Sequence, residues 1–134
     1  MRLLRVINTR HNRELGARIG LADGWFARLR GMMAGPAPAA GEGLLLTPCR
    51  SVHMFGMSFP LDVAFLDVEG AVVATYGSLS PWSRTRWHRN AVHALELPAG
   101  TLENSGTVIG DVLVWSSESV SSASEQDRRT EAVS

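Results

Sequence analysis

Polar and apolar side chains largely alternate from Arg2 to Ile7, and the pattern returns from Leu15 to Leu21 after the turn-forming run NTRHN. A two-residue period sends successive side chains to opposite faces of a strand, so this stretch predicts an N-terminal β-hairpin. The period then changes. Trp25, Leu29 and Met32 fall at helical spacing, Asp23 stands where an N-cap belongs, and Gly35 with Pro36 stops the run. Those signals predict one short amphipathic helix over GWFARLRGMM. GPAPAAGEG reads as a loop, and GLLL as a short apolar strand.

Next come VHMFGM and LDVAFLD, joined by SFP; both read as strands, with Pro60 placed where it costs no ladder hydrogen bond. DVEG suits a type I turn with Gly70 at positive φ, and AVVATY continues the meander. GSLSPWSRTRWHRN is a long polar and aromatic loop. AVHALEL predicts a strand, PAGTLENSG one or two helical turns begun at Pro98 and stopped at Gly106, and DVLVW the last strand. Seven or so short strands with two short helices predict an α+β domain built on a small, mainly antiparallel, barrel-like sheet.

From Ser116 onward SSESVSSASEQDRRTEAVS holds scarcely any large apolar residue. Such a segment buries too little surface to offset the entropy of ordering, so residues 116–134 are expected to be a disordered tail on a single domain, residues 1–115. Within these 134 residues one domain is expected, with no room for a second. The N-terminus has no continuous apolar run of the signal-peptide kind and no stretch reaches membrane-span length, which leads to the expectation of a soluble, cytoplasmic protein.

Charge narrows the classes further. All 13 basic residues are arginine, seven of them within residues 1–30, yet the formal net charge is zero. Over residues 1–115, 11 arginines stand against nine acids, far from the strong basicity of a dedicated nucleic-acid binder. One cysteine excludes an internal disulfide and supplies no paired zinc spacing.

The candidate chemistry lies in two places. Cys49, His53 and Met57 recur every four residues and could in principle hold a soft metal, with Asp62 as a further carboxylate. In an extended chain, however, residues four apart are about 13 Å from each other, too far to ligate one ion. With the hairpin turn centred on Phe59, Asp62 falls opposite Gly56 and His53 opposite Phe65, which puts Asp62 and His53 on different faces. The bland alternative has Cys49 and Met57 as core fillers, His53 as a satisfied core histidine and Asp62 as an acceptor of backbone N–H groups. No metal and no cofactor is expected from these residues.

The second place is PWSRTRWHRN, where Trp82, Arg84, Arg86, Trp87, His88 and Arg89 crowd together with no acid among them. Guanidinium forks match phosphate and carboxylate, and aromatic faces stack on rings. The opposing reading has the tryptophans covering an open end of the sheet and the arginines solvated. Glu96, alternating with Leu95 and Leu97, either faces outward or serves as a helix-start charge near Pro98. Asp111 after Gly110 reads as a turn device. No phosphate-binding glycine loop, Ser-His-Asp order or zinc-protease motif is present.

Together WFARLRGMM, GEGLLLTPCRSVHMFGMSFPLDVAFLD, GAVV, LSPW, ALELPAG and GDVLVW resemble domain-of-unknown-function family 192 of bacteria and archaea, over nearly all of Arg2 to Trp115. The resemblance implies a compact mixed α/β domain with a barrel-like sheet and no established activity, substrate or cofactor. His53, Met57, Pro60, Leu61, Asp62, Glu96, Gly100, Gly110 and Asp111 occupy the family's marked positions. Met54 stands where many relatives carry threonine, which weakens the idea of a hydroxyl-bearing site there. The expectation is a non-enzymatic binding or accessory module using the Arg/Trp loop for a protein or small anionic partner, with nucleic acid weakly supported and no membrane role. Its rival is a soft-metal or hydrolytic site around Cys49, His53, Met57 and Asp62, which requires those side chains to converge.

Overall fold

A computed structural model gives the fold and describes residues 2–22, 36–54 and 57–117. Strands β1 (Leu3–Asn8) and β2 (Arg13–Ala22) form the expected antiparallel hairpin. Asn12 takes a positive φ of 52° in its turn, a conformation asparagine tolerates better than most residues. β3 (Glu42–Leu46) pairs parallel with β2, and all other pairings are antiparallel. β4 (Leu61–Leu66), β5 (Val72–Leu79), β6 (His93–Pro98), helix α1 (Thr101–Ser105) and β7 (Leu113–Ser117) follow. The seven strands make one sheet in the order β5-β4-β6-β3-β2-β1-β7.

The sheet curls until its two edges touch at one corner. Ala71 bridges Val112, the Val72 N–H donates to the Asp111 carbonyl at 2.8 Å, and the Leu113 N–H to the Gly70 carbonyl at 2.9 Å. The DVEG turn sets up this approach. Asp67 Oδ1 accepts the N–H groups of Glu69 and Ala71, both at 2.9 Å, and Gly70 adopts φ 84°. A Cβ on Gly70 would run into the Leu113 carbonyl oxygen, so this residue also permits the closure sterically.

Alternation along the strands separates two apolar clusters. Leu4, Val6, Ile19, Leu45, Ala64, Leu66, Leu95, Leu97 and Leu113 point into the curl and are plugged by Leu102 of α1. Leu61, Val63, Phe65, Ala74, Ala94, Leu46 and Ala22 point outward and are covered by Cys49, Val52, Met54 and Met57. All six residues of β4 are buried because both of its faces are packed, which is why LDVAFL reads as a continuous apolar run broken only by Asp62.

Four expectations need correction or limits. The described residues of VHMFGM do not pair with β4. That strand has β5, delivered by a local turn, on one edge and β6 on the other, and residues 50–54 instead lie along the 82–88 loop. Ser116 and Ser117, expected in the tail, extend β7 opposite Arg5 and Leu4; the rest of the tail lies outside the described residues, as does the helix expected over residues 24–33. Among the described residues there is therefore one short helix, and the domain is mostly β. Its start is set not by Pro98 but by Gly100 and by a carboxylate from another strand, described below.

Candidate functional site: a cationic groove on the outer face

The segment 50–54 and the Arg/Trp loop form an irregular antiparallel ribbon. His53 bridges Arg84; the Met54 N–H donates to the Ser83 carbonyl at 2.7 Å, the Thr85 N–H to the Val52 carbonyl at 2.8 Å, and the His88 N–H to the Arg50 carbonyl at 2.8 Å. Thr85 Oγ1 accepts the Val52 N–H at 3.0 Å. Alternation sorts the side chains. Val52, Met54 and Thr85 turn in and are buried, so Ser51, His53, Arg84 and Arg86 turn out, His53 opposite Arg84 and Ser51 opposite Arg86. With Trp87 they line an open groove of about 550 Å³, floored by Val52 and Thr85.

Beneath the groove, the His88 ring lies 4.5 Å from the Phe65 ring, centroid to centroid. Burial, and then the Arg86 charge, hold its pKa below the ordinary histidine value. Its Nε2 is hydrogen-bonded to the Tyr76 hydroxyl at 2.7 Å, and the same hydroxyl accepts the Arg86 N–H at 3.3 Å. His88 thus anchors the loop to the core rather than joining its outer surface. Trp82 and Arg89 are exposed but lie outside the groove, and Trp87 is 67 % exposed beside Arg86.

Arg84 and Arg86 have no carboxylate within ion-pair range among the described residues, in contrast to Arg5 on Glu14 and Arg10 on Asp111, at 2.8 and 2.7 Å. Two unpaired guanidinium groups side by side, with an imidazole opposite one of them, concentrate positive potential over a small concave surface.

The rival cluster does not assemble. Cys49 and Met57 are buried in the outer apolar cluster, His53 faces the groove, and Asp62 projects to the opposite face of the sheet among Ala64, Leu66 and Leu102. Cys49 Sγ donates to the Ser51 carbonyl at 3.1 Å. Asp62 Oδ1 accepts the Ser78 N–H at 2.8 Å, while Oδ2 accepts those of Gly100 at 3.1 Å and Leu102 at 2.8 Å. Among the described residues no three His, Cys, Asp or Glu side chains stand close enough to share a metal ion.

Glu96 corrects a second expectation. It neither faces solvent nor starts a helix: it is 2 % exposed, on the outer face of β6 between Val63 and Leu44, and neither carboxyl oxygen has a hydrogen-bond partner. Burial raises its pKa from 4.5 to about 8. Asp111 behaves as read from sequence. It accepts the Val108 N–H at 2.9 Å beside Gly110 at φ 98°, and it also accepts from Asn8 at 2.9 Å and from Arg10. The Arg10 hydrogen bond, helped by Asn8 and the Val108 amide, holds this carboxyl well below the usual range despite the opposing effect of burial. Its partnership with β1 carries no local sequence signal, because Asn8 and Asp111 meet only when the sheet is complete.

These features define a small curled-sheet domain with a cationic, aromatic-flanked groove on its convex side. The family model of DUF192, described as Uncharacterized ACR, matches residues 6–115, and the chain belongs to that family. It is 32 % identical over 122 residues to a UPF0127 protein of the archaeon Thermococcus sibiricus, covering 88 % of this chain and 79 % of that one. Two solved structures share the fold. One, from Sinorhizobium meliloti 1021 and provisionally named a transcription regulator, superposes with a TM-score of 0.70 at 25 % identity, over 84 % of this chain and 91 % of the other. The second, a protein of unknown function from Novosphingobium aromaticivorans, gives a TM-score of 0.71 at 20 % identity over 84 % and 83 %.

Proposed function

We propose that this domain is a non-enzymatic binding module, acting in the cytoplasm, that captures an anionic group in the groove between His53 and Arg84. The observation that carries the reading is the outward quartet Ser51, His53, Arg84 and Arg86, in which neither guanidinium group has an acidic partner among the described residues. Catalysis at Asp62 has no support, since three backbone amides already occupy that carboxylate. The regulator name given to the Sinorhizobium meliloti structure makes a nucleic acid one form such an anion could take, but the near-neutral charge of residues 1–115 favours a compact anion over a long polyanion.

The test is binding of inorganic phosphate and pyrophosphate to the full chain as a function of salt. Replacing Arg84 and Arg86 together with alanine should weaken binding about 100-fold, from two charge-assisted contacts at roughly 1.5 kcal/mol each, and should flatten the salt dependence. The charge-matched variant R2A/R18A, altered at exposed residues outside the groove, should bind as wild type. Equal weakening in both variants would reduce the effect to net charge and refute the site.

A further inference from the structure

We infer that the groove accepts a phosphate monoester carried on a flat ring, a nucleoside monophosphate in its simplest form; this rests on the anion-binding reading above and sharpens it. Arg84 and Arg86 project from the same side of one extended segment. At about 3.3 Å per residue their Cα atoms stand roughly 6.6 Å apart, a span that two long, flexible side chains close easily around one tetrahedral oxyanion. Two fixed cations match the two charges of a phosphate monoester better than the single charge of a carboxylate, and each planar fork can supply paired N–H donors to its oxygens.

Phosphate alone leaves the rest of the groove unused. A volume of about 550 Å³ falls in the range of sites for small organic molecules, and is far larger than one oxyanion needs. Trp87 adjoins Arg86 with most of its indole in solvent, whereas the rings of Phe65, Tyr76 and His88 are packed against one another. An indole face held beside a phosphate site offers stacking to any planar ring joined to that phosphate. Across the ribbon, the Ser51 hydroxyl and the His53 imidazole add polar groups suited to the hydroxyls of an intervening sugar. Among the described residues the lining comes from 51–53 and 84–87, about 10 Å of chain, which accommodates one phosphate and one ring rather than a polymer track.

The full chain is titrated calorimetrically with AMP, ribose 5-phosphate and adenosine, and with an eight-residue single-stranded oligoadenylate. AMP should bind at least about tenfold more tightly than either ribose 5-phosphate or adenosine, as expected when a ring stack and a charged clasp act together. In W87A, AMP should fall to the level of ribose 5-phosphate, whose own affinity stays unchanged. R84A/R86A should weaken AMP and ribose 5-phosphate alike by about 100-fold, and R84K/R86K should fall between, having charge without the fork. If AMP and ribose 5-phosphate bind equally in the wild type, the ring has no subsite and this inference fails while the anion site stands. If adenosine matches AMP, or the oligoadenylate binds more than tenfold tighter than AMP, the monophosphate assignment is wrong. If no phosphate compound binds, both readings fall together.

Discussion

Asp62 Oδ2 lies 2.8 Å from the amide nitrogen of Leu102, so a residue of strand β4 caps a helix forty positions further along the chain. The same carboxylate binds the amides of Gly100 and Ser78, tying β4, β5 and α1 together at one point. Gly100, at the N-cap, has no side chain with which to do this itself.

Replacing Asp62 with alanine therefore strands three backbone donors, one of them buried, and should destabilise the fold by about 3 kcal/mol. Urea unfolding measures the change. Anion binding at the groove, on the other face of the sheet, should persist in whatever fraction stays folded. A D62A protein of wild-type stability would show that the α1 cap contributes nothing.

Glu96 should make the protein more stable in mild acid than in mild alkali. In the unfolded chain it ionises near its ordinary value of 4.5, whereas the folded protein holds the proton up to about pH 8. Between those values the unfolded state binds fewer protons than the folded one, so stability falls as pH rises from about 4.5 to about 8 and then levels. The total is about 5 kcal/mol at one pKa unit per 1.36 kcal/mol. E96Q should remove most of this slope, matching wild type at pH 4 and exceeding it at pH 8. Parallel stability curves for the two proteins would contradict the burial of an unpartnered carboxyl.

Asp111 works in the opposite direction. Its folded-state pKa is depressed, so its contribution is present above the ordinary aspartate value of 3.8 and drains away as pH falls below it. D111N should lower the thermal midpoint at pH 7, where the Arg10, Asn8 and Val108 contacts favour the carboxylate, and the gap from wild type should close toward pH 2. A gap that persists unchanged in strong acid would assign the loss to packing instead of charge.

Two glycines in the sheet should respond differently to alanine. A Cβ on Gly43 would collide with the Glu96 carbonyl oxygen, a backbone atom that cannot swing away, and with Ile19 Cδ1 at 3.1 Å. Gly77 has nothing within 4 Å. G43A should cost 2 kcal/mol or more, roughly what overpacking a well-filled site costs, while G77A should change stability by no more than about 0.5 kcal/mol. Similar melting temperatures for the two variants would mean that β3 and β6 are not as closely apposed as described.

Local patterns carried the strands well. The hairpin β1–β2, the DVEG turn, β6, β7 and the helical turns before Gly106 all follow from periodicity and turn chemistry within a few residues. Pairing between distant elements is another matter. Nothing within VHMFGM distinguishes a partner in β4 from one in the 82–88 loop; that choice follows from β4 having both edges filled, a property of the whole sheet. Glu96 misleads for a related reason. Alternation assigns it to the face opposite Leu95 and Leu97, and an antiparallel sheet usually leaves one face in water, but here Cys49, Val52, Met54 and Met57 cover that face too. His53 and Arg84, 31 positions apart, could be recognised separately as polar residues of interest, and only their bridge makes them parts of one groove.

The pairing of Leu4 with Ser117 has a consequence for biosynthesis. Within this sheet β1 is made first, and the neighbour on its outer edge is the last described strand to be made. Until β7 emerges, the hairpin offers a bare edge, the corner at Ala71 and Val112 stays open, and Asn8 has neither Thr107 nor Asp111 to bind. Contacts so distant along the chain close slowly. The sheet can be completed only once all seven strands have been translated, which makes the nascent N-terminal hairpin the stretch most in need of shelter from other chains.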